Sequence, residues 1–323
     1  MPSWERSSPV SVNDYARLIA PLRAAAVRAA WTQWASLGFG ASASRTGHAI
    51  VDPEALVLAS LALRDEERRL DHVMKFWLAD HVRLLSASRL ANLVGDYPAS
   101  VRRSLADLAV ELVRAGDPRW RRLAAGVAGR RRAAVRAERS REPSTIPLRD
   151  RTTILLRLRV AIGVGIKSDV LALLIGLAES RQTVRQMSLA LGYQERALRR
   201  AVEDLAWAGL VTQVATAPVS YMTRLGTWAE LFGFDAQLPP LWRYWRELFA
   251  VVVQLQNWAA SADASWSPYV AASRLRDLME GMDPLLVRAL VRERPDWTGE
   301  PTSWAVSFGE WAGRFEHRLE AVT

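Results

Sequence analysis

The chain has 323 residues, half of them hydrophobic and 24% charged, a globular composition long enough for two or three domains with cores of their own. It holds no cysteine, which excludes disulfides, thiol nucleophiles and cysteine-ligated metal. The net charge is +9, but Lys75 and Lys167 are the only lysines, an arginine bias that reports a GC-rich genome more than a partner.

The distribution of charge says more. From Val101 to Val160 sixteen Arg stand against six acids, a local +10 that leaves about −1 for the remainder. A basic centre between nearly neutral flanks is an electrostatic footprint. Glu5 and Asp14 stand where the apolar core of a signal peptide would lie, and the best apolar window is broken by Lys167 and Asp169. The expectation is a cytoplasmic protein with no membrane contact.

In chain order, Ser11 to Ala20 and Leu22 to Leu37 read as two helices separated by Pro21. With the Gly/Ser-rich loop Gly38 to Gly47 they make an N-terminal helical segment, residues 1–50, in which Trp31 and Trp34 are core. Asp52-Pro53 is a helix cap followed by a favourable first residue, opening a helical domain over 51–142. Asp65-Glu66-Glu67, flanked by Arg64, Arg68 and Arg69, is a solvated face with i,i+3 and i,i+4 pairing. Asp117-Pro118 starts an Arg-rich helix with Trp120, Leu123 and Val127 inward; Arg119, Arg121, Arg122, Arg130, Arg131, Arg132, Arg136 and Arg139 point mostly outward. Glu142 to Pro147 is the clearest linker.

Residues 148–236 carry the most informative stretch. Asp150 to Ile162 is a helix, and Lys167 to Glu179 another, with Val170, Leu171, Leu174, Leu177 and Ala178 on one apolar stripe. Thr183 with Gln186 three residues on is a capping-box signature, and Val184, Met187 and Leu191 are the core positions of the helix it starts. Gly192 supplies a tight turn. From Gln194 to Ala208 a third helix buries Leu198, Ala201, Val202 and Leu205, with Arg196, Arg199, Arg200, Glu203 and Trp207 on the opposite side. Gly209 closes it, and Leu210 to Thr223 reads as a hairpin. Helix, helix, turn, helix, hairpin is the order of a winged helix-turn-helix.

The runs Ala208-Gly209-Leu210-Val211 and Tyr221-Met222-Thr223-Arg224-Leu225-Gly226 resemble the end of the third helix and the wing of MarR-type regulators, a resemblance covering about sixty residues. It implies a winged helix-turn-helix fold and DNA binding. The wing departs from that pattern: it holds no basic residue between Val211 and Met222 with which to enter a minor groove.

Sliding the chain by 97 residues lays Asp71 to Val110 over Ser168 to Trp207 without a gap, with seven of forty positions identical. Gly95 falls on Gly192 and Arg102-Arg103 on Arg199-Arg200. The expectation is a second, wingless helix-turn-helix ahead of the first. Beyond Leu238-Pro239-Pro240, residues 240–323 form a Trp-rich helical domain. The stripe Trp242, Trp245, Phe249, Val252 and the stripe Trp304, Phe308, Trp311, Phe315 are read as a small core or a dimer seam, with an aromatic ligand pocket as the sharper alternative.

The sequence carries no recognisable catalytic or metal-binding motif. His72 and His81 lie nine apart and face opposite ways on a helix, so they are read as surface or locally paired groups. Gly163-Val164-Gly165 lacks the third glycine and the preceding strand of a dinucleotide site, and no Walker, Gly-x-Ser-x-Gly or His-Glu-x-x-His motif occurs. The expectation is therefore no enzyme and no cofactor. The fold expected is mainly α and multi-domain. The function expected is double-stranded DNA binding by a bacterial transcriptional regulator, with the C-terminal domain joining a second copy or a protein partner. The residues assigned to DNA are Thr183, Arg185, Gln194, Arg196, Arg199 and Arg200, with Arg102, Arg103, Arg121, Arg122, Arg130 and Arg132 beside them. The alternative is a non-catalytic adaptor of a defence or toxin–antitoxin type of system, whose helix-turn-helix units dock proteins.

Overall fold

A computed structural model describes residues 11–39, 47–125, 145–215, 217–289 and 291–320. The chain is mainly helical with one small sheet, and its contacts divide it into two compact bodies. One contains residues 30–246; the other joins the N-terminal residues up to 29 to those from 247 onward. The division differs from the boundaries expected from sequence. The described residues of 51–142 and of 148–236 fall in one body, and those of 1–50 are divided between the two.

The body built from the two ends of the chain takes its first helix, α1 (Val12–Ser36), as far as Ala29. Pro21 does not divide this helix in two. A proline inside a helix costs about 3 kcal/mol through its missing N–H and its clash with the preceding turn. Burial on both sides of it, at Ile19, Leu22, Ala25 and Ala26, offsets that cost. The remaining helices are α12 (Trp245–Ser261), counted here from Glu247, α13 (Pro268–Gly281), α14 (Asp283–Arg288) and α15 (Pro301–Glu320). Tyr15 meets Trp258 and Phe308 edge-on, each at 6.1 Å, and Trp311 stacks on Phe315 at 5.0 Å. Burial pushes the Tyr15 hydroxyl up to about 12. The α15 stripe is thus spent on a core within one chain, since Trp304, Phe308, Trp311 and Phe315 are all buried.

In the larger body, α2 (Pro53–Leu63) is apolar almost all round and buried almost all round, so it serves as a hub. Asp52 caps it, accepting from Ala55 N at 3.1 Å. Packed on it are α3 (Arg68–His81), α4 (Ala87–Leu93) and α5 (Ala99–Arg114), with the short α6 (Arg121–Ala124) against α5. The second half runs α7 (Ile154–Ile162), α8 (Ile166–Gly176), β1 (Gln182–Thr183), α9 (Val184–Leu191), α10 (Glu195–Trp207), β2 (Thr212–Val214), β3 (Ser220–Met222) and α11 (Leu225–Phe232). The sheet order is β1-β3-β2, antiparallel throughout, with Gln182 opposite Tyr221 on one side of β3 and Gln213 opposite Tyr221 on the other.

Here α8, α9 and α10 pack on one another around Leu171, Leu174, Met187, Leu191, Leu198, Val202 and Leu205. α8 is shorter than its apolar stripe suggested, because Ala178 and Glu179 take left-handed backbone angles and turn the chain. Glu179 then accepts from Leu225 N at 2.9 Å and so caps α11. Gly176 marks a close approach: a side chain there would lie 2.7 Å from both Ile50 Cδ1 and the backbone N of Trp242. That N donates to the Gly176 carbonyl at 2.7 Å.

The 97-residue repeat is carried by element order more than by packing. Shifted by that interval, α4 falls on α9 and α5 on α10. The same shift lays α2 over α7, but α3, α4 and α5 each pack on α2, whereas α8, α9 and α10 pack chiefly on one another and α7 packs on α8. The glycines differ as well: Gly192 is left-handed at φ +74°, whereas Gly95 sits in a right-handed 3-10 turn. Within α3 to α5, the arrangement of α8 to α10 is not copied.

Candidate nucleic-acid interface

The sequence builds this surface from α9 outward. Thr183 starts α9 with a complete capping box: its hydroxyl accepts from Gln186 N at 3.2 Å, and Gln186 Oε1 accepts from Thr183 N at 2.8 Å. The hydroxyl also donates to Gln186 Oε1 at 3.0 Å, so it is committed to the cap. Arg185 and Gln194 are exposed, and Gln194 precedes α10 without capping it.

On α10, Leu198, Ala201, Val202 and Leu205 are buried as the spacing predicts. Arg196, Arg200, Glu203 and Trp207 follow one another at i, i+4, i+7 and i+11 along the outward ridge, with Arg199 beside it. Among the described residues no carboxylate lies within ion-pair distance of Arg185, Arg196, Arg199 or Arg200. Asp204 on the same helix is taken by Lys167 at 2.9 Å. Behind the ridge, burial pushes the Tyr221 hydroxyl up; Glu203 adds to the effect and Arg199 opposes it. Trp207 ends the ridge 93% exposed.

The other basic candidates belong to different helices. Arg102 and Arg103 are exposed on α5, where the Arg102 guanidinium donates to the Tyr97 carbonyl at 2.9 Å. Arg121 and Arg122 are exposed on α6. Arg130 and Arg132 lie outside the described residues.

Beneath α9 and α10 lies a charged cluster that spacing alone did not reveal. Arg89 and Arg159 are fully buried, and so are Asp52, Glu54 and Asp169. The Arg89 Nη1 donates to Asp52 at 2.7 Å and Glu54 at 2.6 Å, and its Nη2 to Asp52 at 2.6 Å. Arg159 grips Glu54 at 2.8 and 2.9 Å and Asp169 at 3.0 and 3.1 Å, and also donates to the Leu84 carbonyl. Tyr193, in the turn between α9 and α10, donates its hydroxyl to Asp169 at 2.7 Å.

Burial opposes ionisation of Asp52, but the charge and hydrogen bonds of Arg89 outweigh it and hold this carboxyl below its usual range. At Asp169 burial wins over Arg159 and Arg89, and the carboxyl is raised. Burial, with Asp169 adding, raises the Tyr193 hydroxyl, which therefore stays a donor. The cluster ties α2, α4, α7 and α8 to the turn that carries α10. Among the described residues no group of acids and histidines is arranged to hold a metal ion, and no helix is long and apolar enough to cross a membrane.

Comparison with protein-family models, curated proteins and solved structures gives no match.

Proposed function

We propose that this chain binds double-stranded DNA with α10 as its reading helix and acts as a transcriptional regulator. In this reading α8, α9, α10 and the β2–β3 hairpin are a winged helix-turn-helix, and α3 to α5 are not a second reader. The observation that carries it is the outward side of α10, where Arg196, Arg199 and Arg200 are exposed with no acid in ion-pair reach among the described residues. Exposed guanidiniums on one side of one helix can contact a polyanion. Arginine can pair bidentately with guanine and Gln194 with adenine in a major groove, which accommodates one helix. The N–H groups that open α9, with Arg185, would meet a phosphate. Arg102, Arg103, Arg121 and Arg122, with Arg130 and Arg132, are assigned to non-specific phosphate attraction.

The test is site selection from random duplexes, followed by affinity measurement for each Arg→Ala variant at Arg196, Arg199 and Arg200. Each loss should be on the order of 1–3 kcal/mol, with relaxed preference at one base pair. Selected sites unchanged in all three variants would overturn the assignment. A second reading, a protein-docking adaptor, is favoured by Trp207, whose indole stands 93% exposed at the end of the same ridge. That reading expects no salt-dependent duplex binding, and a protein complex that Trp207→Ala abolishes.

A further inference from the structure

The turn between α9 and α10 is held from outside. Arg89 Nε donates to the Leu191 carbonyl at 3.0 Å, and Asn92 Nδ2 donates to the Gly192 carbonyl at 3.0 Å. Both donors come from α4, one helical turn apart. Arg246 reaches the Leu189 carbonyl at 3.4 Å while held by Asp96. Within the turn, Ser188 Oγ donates to the Tyr193 carbonyl at 2.5 Å, and the Tyr193 hydroxyl is bound by Asp169. The carbonyls at the end of α9 and in the turn thus accept from side chains, two of them from α4.

Contact between the two segments is close. A side chain at position 192 would lie 2.5 Å from Leu93 Cδ2 on α4. Arg89 itself cannot shift without breaking its bonds to Asp52 and Glu54.

We infer that α4 is a clamp that fixes the angle at which α10 leaves its turn, and that Asn92 is a positioning residue for base readout. This rests on the reading of α10 as the DNA-contacting helix. Bidentate pairing of an arginine with a base tolerates displacements of about 0.5 Å and 10–20°. Gly192, left-handed at φ +74°, is the hinge about which α10 would otherwise swing. The layer that a sequence repeat suggested as a second reader is, in this inference, the mount of the first.

The experiment uses the full chain with Asn92→Ala and Asn92→Asp. Asn92 is exposed, so neither change threatens the core. Two readouts are taken: amide hydrogen exchange over residues 192–200, and the ratio of affinity for a selected duplex to that for a scrambled duplex. Loss of one hydrogen bond should lower that ratio about three- to tenfold. In Asn92→Ala the scrambled-duplex affinity and the salt slope should hold, since no charge changes. Exchange should rise in both variants, because aspartate has the size but not the donor. Unchanged exchange overturns the clamp whatever the DNA result. A proportional fall of both affinities assigns Asn92 a merely structural role and overturns the positioning claim. Raised exchange in a chain whose wild type binds no duplex upholds the clamp and overturns the DNA reading instead.

Discussion

Arg89→Met tests the central arrangement most directly. Methionine keeps an unbranched side chain in the same space but removes the charge and every donor. Asp52 loses both of its bonds to Arg89, Glu54 loses one, and the Leu191 carbonyl loses its partner. Breaking one buried ion pair from one side costs about 3–5 kcal/mol, a large part of the roughly 5–15 kcal/mol that hold a typical domain. The pH dependence should shift as well. In the native chain Asp52 is depressed, so its contribution is present above the ordinary carboxylate value and lost as pH falls through the lower folded value. In the variant, three buried carboxylates face Arg159 alone, and Asp169, already raised by burial, loses one of its two opposing charges. The folded variant then binds a proton more tightly than the unfolded chain. Its stability holds below that raised value and falls as pH rises through it. Denaturant unfolding at pH 7 and pH 5 should show a smaller gap to wild type at pH 5, and Arg89→Met with Asp52→Asn should recover part of the loss. A loss below about 1 kcal/mol, or one identical at both pH values, would refute the reasoning.

Two further changes probe the local structure that carries α10. Gly192→Ala forces a Cβ onto a left-handed residue and within 2.5 Å of Leu93 Cδ2, so it should cost about 2 kcal/mol or more and lower the melting temperature by several degrees; an unchanged midpoint would contradict the close approach. Thr183→Ala removes one half of the capping box and should cost about 1 kcal/mol in thermal or denaturant unfolding, a value that Thr183→Ser should largely restore.

The stretch from Thr183 to Gly209 was legible because its signals are local. A capping box, a stripe of four apolar positions and a glycine at each turn fix α9 and α10 without reference to the rest of the chain. The course of α1 was not legible, because Pro21 is a local stop signal and the burial that overrides it is tertiary. Likewise β1, two residues long, exists only because β3 returns to pair with it. The division into bodies escaped for the same reason: contacts between the two ends of a chain leave no trace in neighbouring residues.

The buried cluster was hidden differently, since local readings absorb Asp52 and Arg159. Asp52 is a cap, and it remains one while also receiving Arg89. Arg159 reads locally as one more arginine in the basic stretch from Val101 to Val160. On α7, however, it falls beside Leu155 and Leu158 on the apolar side, just as Glu54 interrupts an otherwise apolar α2 and Asp169 an apolar α8. Charges of opposite sign set into the apolar faces of several helices can all be buried only if they meet, because each alone would cost more than its helix gains by packing. That rule points to a shared cluster without telling which residues pair. The pairing made here runs through α4 to the turn beneath α10, so the charged core bears on how α10 is held.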